Sequence, residues 1–166
     1  RFYQLAFRQA VSRSTDDAAE ELEALLINAV GKRMMGDVPI SAYLSGGLDS
    51  SLTSAIAAKH FNKEIDTFSI AFNNPDYDES QYQQIMVKEL NTQHHSVTFG
   101  EDDFISLLKG CVIHTETPFL RTGPLPMMKL SSWVRDHDRR VVITGEGADE
   151  FFGGYDLFRE VKIRNF

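Results

Sequence analysis

The 166-residue chain predicts an α/β domain: a parallel β-sheet covered by helices on both faces. Three observations carry that prediction. The strand-like stretches "VPISAYL", "IDTFSIAF" and "RRVVIT" are apolar runs rather than alternating patterns, as strands buried on both faces are. Segments with the helical period separate them. Two glycine-rich stretches, "SGGLDSS" and "GEGADEFFGGY", follow directly after strands, at the edge where sheets of this kind bind ligands.

Taken in order, "STDDAAEELEALLINAVGKRM" has apolar residues at Leu22, Leu25, Leu26 and Ala29–Val30, with Ser14 or Thr15 as cap and acids in the first turn. "VPISAYL" is the first strand and "SLTSAIAAKHF" the helix after its loop. Ile65 to Phe72 forms the second strand, and "NNPDYDES" a polar turn-rich connection. Glu79 to Leu90 suits a helix with Tyr82, Ile85, Met86 and Leu90 on one face, the face expected to meet the sheet. "HHSVTF" is a short strand, and "EDDFISLLKGCVIHTE" an acid-led helix in which Cys111 is a small core residue. "TPFLRTGPLP", with three prolines, is a loop, "MMKLSSWVRDH" a helix and "RRVVIT" the last strand. Phe151 and Phe152 are expected to anchor the second glycine loop by packing behind it. His94 and His95 begin a strand and face opposite ways, which makes them structural rather than a metal pair.

Length suits one domain with a single core, and 42% hydrophobic with 25% charged residues is a globular composition. A net charge of −7 and a pI near 5.2 disfavour a nucleic-acid or membrane-surface binder. Cys111 is the only cysteine, which leaves no intrachain disulfide and no thiolate cluster. No apolar run reaches membrane-span length and nothing resembles a signal peptide, so a cytoplasmic location is expected. The chain starts at Arg1 and stops at Phe166, soon after a glycine pair; it reads as a single-domain piece, 1–166, of a longer protein.

Chemistry concentrates in the first loop. Glycines allow close backbone approach, and a strand-to-helix turn presents free N–H groups at the positive end of the helix dipole. Ser45, Ser50 and Ser51 add hydroxyl donors, so the expected guest is an anion, foremost phosphate. Asp49 repels a bare phosphate, which calls for a hard cation such as Mg²⁺ between the two. No lysine precedes the final serines, as a Walker A loop requires, and no dinucleotide fingerprint is present. The alternative is a glycine turn before a serine-capped helix.

"SGGLDSS" resembles the loop of the ATP pyrophosphatases, which holds the pyrophosphate released when ATP is cut between its α and β phosphates. "DVPISAYLSGGLDSS", "TFSIAF", "YDES", the "HH" before a strand and "VITGEGADEFFGGY" are similar, in order and spacing, to the synthetase domain of glutamine-dependent asparagine synthetases. The resemblance spans roughly Ala18 to Tyr155. It implies an adenine-nucleotide-hydrolase-like, Rossmann-like three-layer fold.

For the site, the resemblance implies ATP and Mg²⁺ as cofactors. Pyrophosphate would lie on Ser45, Gly46, Gly47, Ser50 and Ser51, with Asp49 and Asp149 as the two metal carboxylates. Thr144 and Gly145 correspond to main-chain nucleotide contacts, and Leu44 and Ile70 to contacts around the base and ribose. Glu146 corresponds to the residue proposed to handle the proton when ammonia attacks, and Arg121 to a loop arginine aimed at the phosphates. The implied partners are small molecules: ATP, aspartate, and ammonia delivered by a glutaminase domain. Nucleic acid and membrane are not among them, and the full-length protein could be a homodimer.

Two departures accompany the resemblance. "RFYQLAF" carries no N-terminal cysteine nucleophile, and the C-terminal helical segment that supplies further substrate contacts in the family is not matched. Lys162 and Arg164 inherit no role there. Nucleotide binding with weak or absent synthesis is therefore expected of the isolated piece. Two other functions remain open: a relative that adenylates another carboxylate, as in β-lactam formation or peptide amidation, and a non-catalytic nucleotide-binding module.

Overall fold

The computed structural model describes residues 12–164, apart from Lys63 and Phe119. The "RFYQLAF" stretch lies outside the described residues. The elements run α1 (Thr15–Arg33), β1 (Ile40–Tyr43), α2 (Leu48–Ile56), a π-helical turn (Ala57–Phe61), β2 (Asp66–Phe72), α3 (Ser80–Leu90) and β3 (Gln93–Phe99). They continue with α4 (Glu101–Thr115), α5 (Pro124–Asp136), β4 (Val141–Ile143), α6 (Ala148–Phe152) and α7 (Asp156–Arg164).

The strands form one four-stranded sheet in the order β3-β2-β1-β4, all pairs parallel. Register sets which side chains share a face. Ala42 pairs with Thr67 and Ile143, and Tyr43 with Phe68. One face carries Ile40, Ala42 and Ile143 against Val30 of α1, Ile56 of α2 and Leu90 of α3. The opposite face carries Phe68 and Val142 against Leu130, Trp133 and Val134 of α5. The expected three layers are present. Central β1 and β2 are buried through most of their length, while β3 and β4, each with one neighbour, are partly exposed.

This order contains a switch point. The chain leaves β1 towards β2 and β3, then returns to place β4 on the other side of β1. Helices α2 and α3, which follow β1 and β2, lie on one face and α5, which precedes β4, on the other, so a crevice opens beyond the ends of neighbouring β1 and β4. Both glycine loops open into it.

Local signals explain most element boundaries. Ser14 caps α1, its Oγ accepting from the Asp17 N–H at 3.1 Å. Helix α5 begins at Pro124, earlier than expected, because proline in a first turn gives up only a donor that has no intrahelical acceptor. Likewise α2 starts at Leu48, so Asp49, Ser50 and Ser51 belong to its first turn rather than to a loop. The second glycine stretch contains the short helix α6, and α7 follows it; neither was expected.

Three packing expectations fail. On α1, Leu22 and Leu25 are exposed, because the helix meets the core through Leu26, Ile27 and Val30 nearer its C-terminal end. On α3, Tyr82 and Ile85 are exposed, and the buried stripe is Gln83, Met86 and Leu90. Phe151 and Phe152 are 82% and 62% exposed, and so anchor nothing among the described residues.

The paired histidines divide as the pleat requires. His94 Nδ1 meets Thr67 Oγ1 at 3.0 Å, whereas His95 stacks on Phe68 and meets His137 at a tilt on the other face. Beside it, buried Asp66 pairs with Arg139 and lies 3.7 Å from His95 Nε2.

Candidate functional site

The first loop is cross-braced before any guest arrives. Ser50 Oγ lies 2.7 Å from Ser45 Oγ, accepts from the Ser45 N–H at 3.1 Å and donates to the Gly47 carbonyl at 3.2 Å. The Gly47 N–H donates to Ser45 Oγ at 3.2 Å. Gly46 turns with φ of +92°, and a Cβ there would lie 2.9 Å from Tyr82 Cβ, so the loop rests directly on α3. Gly47, the N-cap of α2, offers no side chain to cap the helix, which leaves the first-turn N–H groups for a ligand.

The second loop closes over the first. A Cβ on Gly145 would sit 2.8 Å from both the Asp49 carbonyl carbon and the Ser50 nitrogen. Only glycine lets the two backbones approach this closely. Gly147, also at φ +92°, then turns the chain into α6, and a side chain at Gly154 would run into the Asp149 carboxylate.

Between the loops lies a cavity of about 270 Å³. Of the residues expected at the site, Leu44, Ser45, Gly47, Asp49, Ser50 and Ile70 line it from the β1 and β2 side. Thr144, Gly145, Glu146 and Asp149 line it from the β4 side. Three expected residues are not in its wall. Gly46 forms the turn behind it, and Ser51 Oγ is buried without a hydrogen-bond partner. Arg121 is exposed in the loop before α5.

Sequence reasoning missed several contributors. Tyr43, Phe68, Met127 and Leu130 give the cavity an apolar side. Tyr155 also lines it and donates to Glu150 Oε1 at 2.9 Å, a bond that raises the phenol above its ordinary value. Gln83, 2% exposed, donates to the Ile70 carbonyl at 3.0 Å and the Ser45 carbonyl at 3.4 Å. A signal for Gln83 existed: it keeps helical register with Met86 and Leu90, a polar residue on the apolar stripe. In the "YDES" stretch, Asp78 accepts from Ser80 Oγ at 2.5 Å and the Phe72 N–H at 3.1 Å, and these bonds lower its carboxyl below the ordinary value.

As a donor set for a metal, the described residues hold no cluster of three or more His, Cys, Asp or Glu side chains. Asp49 and Asp149 both line the cavity. Two carboxylates with room for phosphate and water oxygens suit Mg²⁺, which keeps several waters and rarely sits in an all-protein cage.

These features define a parallel α/β domain whose site lies under two glycine loops at the switch point of its sheet. The family described as asparagine synthase matches residues 21–166. The chain belongs to that family. A putative glutamine-hydrolyzing asparagine synthetase 2 of Methanocaldococcus jannaschii is 41% identical over 137 residues, 82% of this chain and 26% of that protein. Glutamine-hydrolyzing asparagine synthetase of Zea mays is 33% identical over 172 residues, 96% of this chain and 29% of that protein. The putative enzyme of Mycobacterium bovis is 32% identical over 158 residues, 94% and 24% of the two chains. The chain thus spans about a quarter of the length of the curated relatives it matches. Among solved structures, NMN synthetase from Francisella tularensis shares the fold, with a TM-score of 0.53 and 19% identity over 87% of this chain and 59% of that one. No helix among the described residues is long and apolar enough to cross a membrane.

Proposed function

We propose that this chain is the ATP-using part of an amide-forming ligase, which activates the side-chain carboxylate of aspartate as an acyl-adenylate and passes it to ammonia. The single observation carrying this reading is the contact of Gly145 with Asp49 and Ser50, which joins an anion-binding loop and an acidic loop over one cavity.

In the first step an aspartate carboxylate oxygen attacks the α-phosphorus of ATP. The new P–O bond forms as the bond to the β-phosphate bridge breaks, and pyrophosphate leaves with the electron pair. Two anions must meet for this, so the chain has to supply positive potential. The uncapped first-turn N–H groups of α2 supply donors towards the departing pyrophosphate, set in place before the reaction, and Ser45 can turn its hydroxyl to join them. Asp49 and Asp149 would hold Mg²⁺, which cancels phosphate charge when bound. Leu44 and Ile70, with main-chain groups of Thr144 and Gly145, would seat the nucleoside.

In the second step ammonia nitrogen attacks the acyl carbon, the acyl–oxygen bond to AMP breaks, and the nitrogen loses a proton. Glu146, on the cavity wall, is the carboxylate suited to accept that proton. Its exposure to solvent lets the proton leave the site. A cytoplasmic location and a glutaminase domain as ammonia source accompany this reading.

The test is Mg²⁺-dependent exchange of labelled pyrophosphate into ATP by the full-length protein, across a panel of carboxylates. Exchange with aspartate alone is expected. Exchange with a different acid would reassign the acceptor, and no exchange with any acid would overturn the reading.

A further inference from the structure

Each peptide unit carries one donor and one acceptor, so a loop that binds an anion must turn its N–H groups inward and its carbonyls away. In the first loop two buried side chains take hold of those carbonyls. Ser69, 2% exposed on β2, donates its hydroxyl to the Leu44 carbonyl. Gln83, equally buried on α3, donates to the Ser45 carbonyl at 3.4 Å and to the Ile70 carbonyl at 3.0 Å. A carboxamide nitrogen has two hydrogens, so one group serves both acceptors. Gln83 thereby ties the turn of the loop to the end of the neighbouring strand. The fit is close on the backbone side too, since a Cβ on Gly46 would lie 3.1 Å from the Gln83 nitrogen.

We propose that Gln83 is a positioning residue of the site: by holding the Ser45 and Ile70 carbonyls outward it keeps the loop's donors facing the cavity, ready for a diphosphate. This rests on the ATP reading above. Gln83 touches no reacting atom in this scheme; it acts through the loop. Ser69, which holds the Leu44 carbonyl, differs in lining the cavity itself. A merely structural polar residue would stabilise the fold and leave ligand preference alone. A positioning residue sets the ratio between binding of the phosphate part and binding of the nucleoside part, because only the first needs the loop's donors.

The decisive comparison uses full-length protein carrying Gln83→Met, which keeps side-chain length but has no donor, and separately Gln83→Leu. Calorimetric dissociation constants are measured for pyrophosphate with Mg²⁺ and for adenosine. The expected result is roughly three- to tenfold weaker pyrophosphate binding, the scale of a lost neutral hydrogen bond, with adenosine nearly unchanged because Ile70 stays paired with Val97 in the sheet. Should Gln83→Met fail to fold, Gln83→Leu carries the same expectation. Parallel weakening of both ligands, or binding equal to wild type, would overturn the role of Gln83. Wild-type protein that ignores pyrophosphate would instead bring down the ATP reading together with it.

Discussion

Leu44 is fully buried and Ser50 is 9% exposed at the first loop, whereas beyond the second loop Phe151 and Phe152 are mostly in solvent. The first loop is gripped from β2 and α3 by Ser69 and Gln83, and braced internally by Ser45 and Ser50. The second relies on glycine turns and short local bonds, such as Glu146 N–H to Thr144 Oγ1 at 3.4 Å and Tyr155 to Glu150. The difference teaches where preorganisation comes from. A loop between two central strands inherits the rigidity of the core, while a loop leaving an edge strand borrows its position from whatever it touches. Here it touches the first loop, through Gly145.

The sharpest way to break this comparison is Gly145→Val. Its Cβ would meet backbone, not a movable side chain, at 2.8 Å. Overpacking costs about 1–3 kcal/mol, so pyrophosphate exchange should fall roughly 10- to 100-fold while the fold survives. Unchanged exchange would show that the two loops need not touch. Charge at the site comes next. Asp49→Asn and Asp149→Asn should each lower exchange by about 10²-fold, the scale of one preorganised electrostatic group. If only Asp49→Asn does so, the second loop is a cover rather than a contributor.

A smaller effect should appear in stability, beneath the first loop's supporting strand. Burial, reinforced by neighbouring His137, holds the His95 imidazole below its ordinary value of 6.5, against the opposing pull of Asp66. Burial likewise lowers His94. Between the lowered folded value and 6.5 the unfolded chain binds more protons, so stability rises with pH there. It is therefore complete above that pH and is lost as pH falls through the folded value. Urea midpoints across the range should show the loss, and His95→Asn should reduce it. The smallest expected effect is at Arg121, which is exposed and outside the cavity wall. Arg121→Ala should change exchange by no more than about twofold, as exposed substitutions commonly do. A large drop would restore the arginine to the site.

Much of this was legible in the residues. Ser14 before an acidic turn marks the start of α1, and the apolar runs of β1 and β2 identify central parallel strands. The glycines of both loops mark the site because few other uses explain so many at strand ends. Illegible were features that depend on which helix face meets the sheet. A count of apolar residues on α3 selects Tyr82 and Ile85, yet packing buries Gln83, because its partners are the carbonyls of Ser45 in the first loop and Ile70 on β2. The aromatic pair Phe151–Phe152 reads as a core anchor but stands in solvent, and Arg121 reads as a phosphate ligand but is exposed outside the cavity wall.

The sequence by itself determined the kinds of atoms available: donors without side chains in the way, paired acids, and turns that only glycine makes. Those follow from single residues and their near neighbours. The tertiary structure alone decided that β4 lies beside β1 rather than β3 and that Gln83 faces the first loop. Strand order and helix rotation are settled by burying the most apolar area with every carbonyl satisfied, a condition on the whole chain that no short stretch contains.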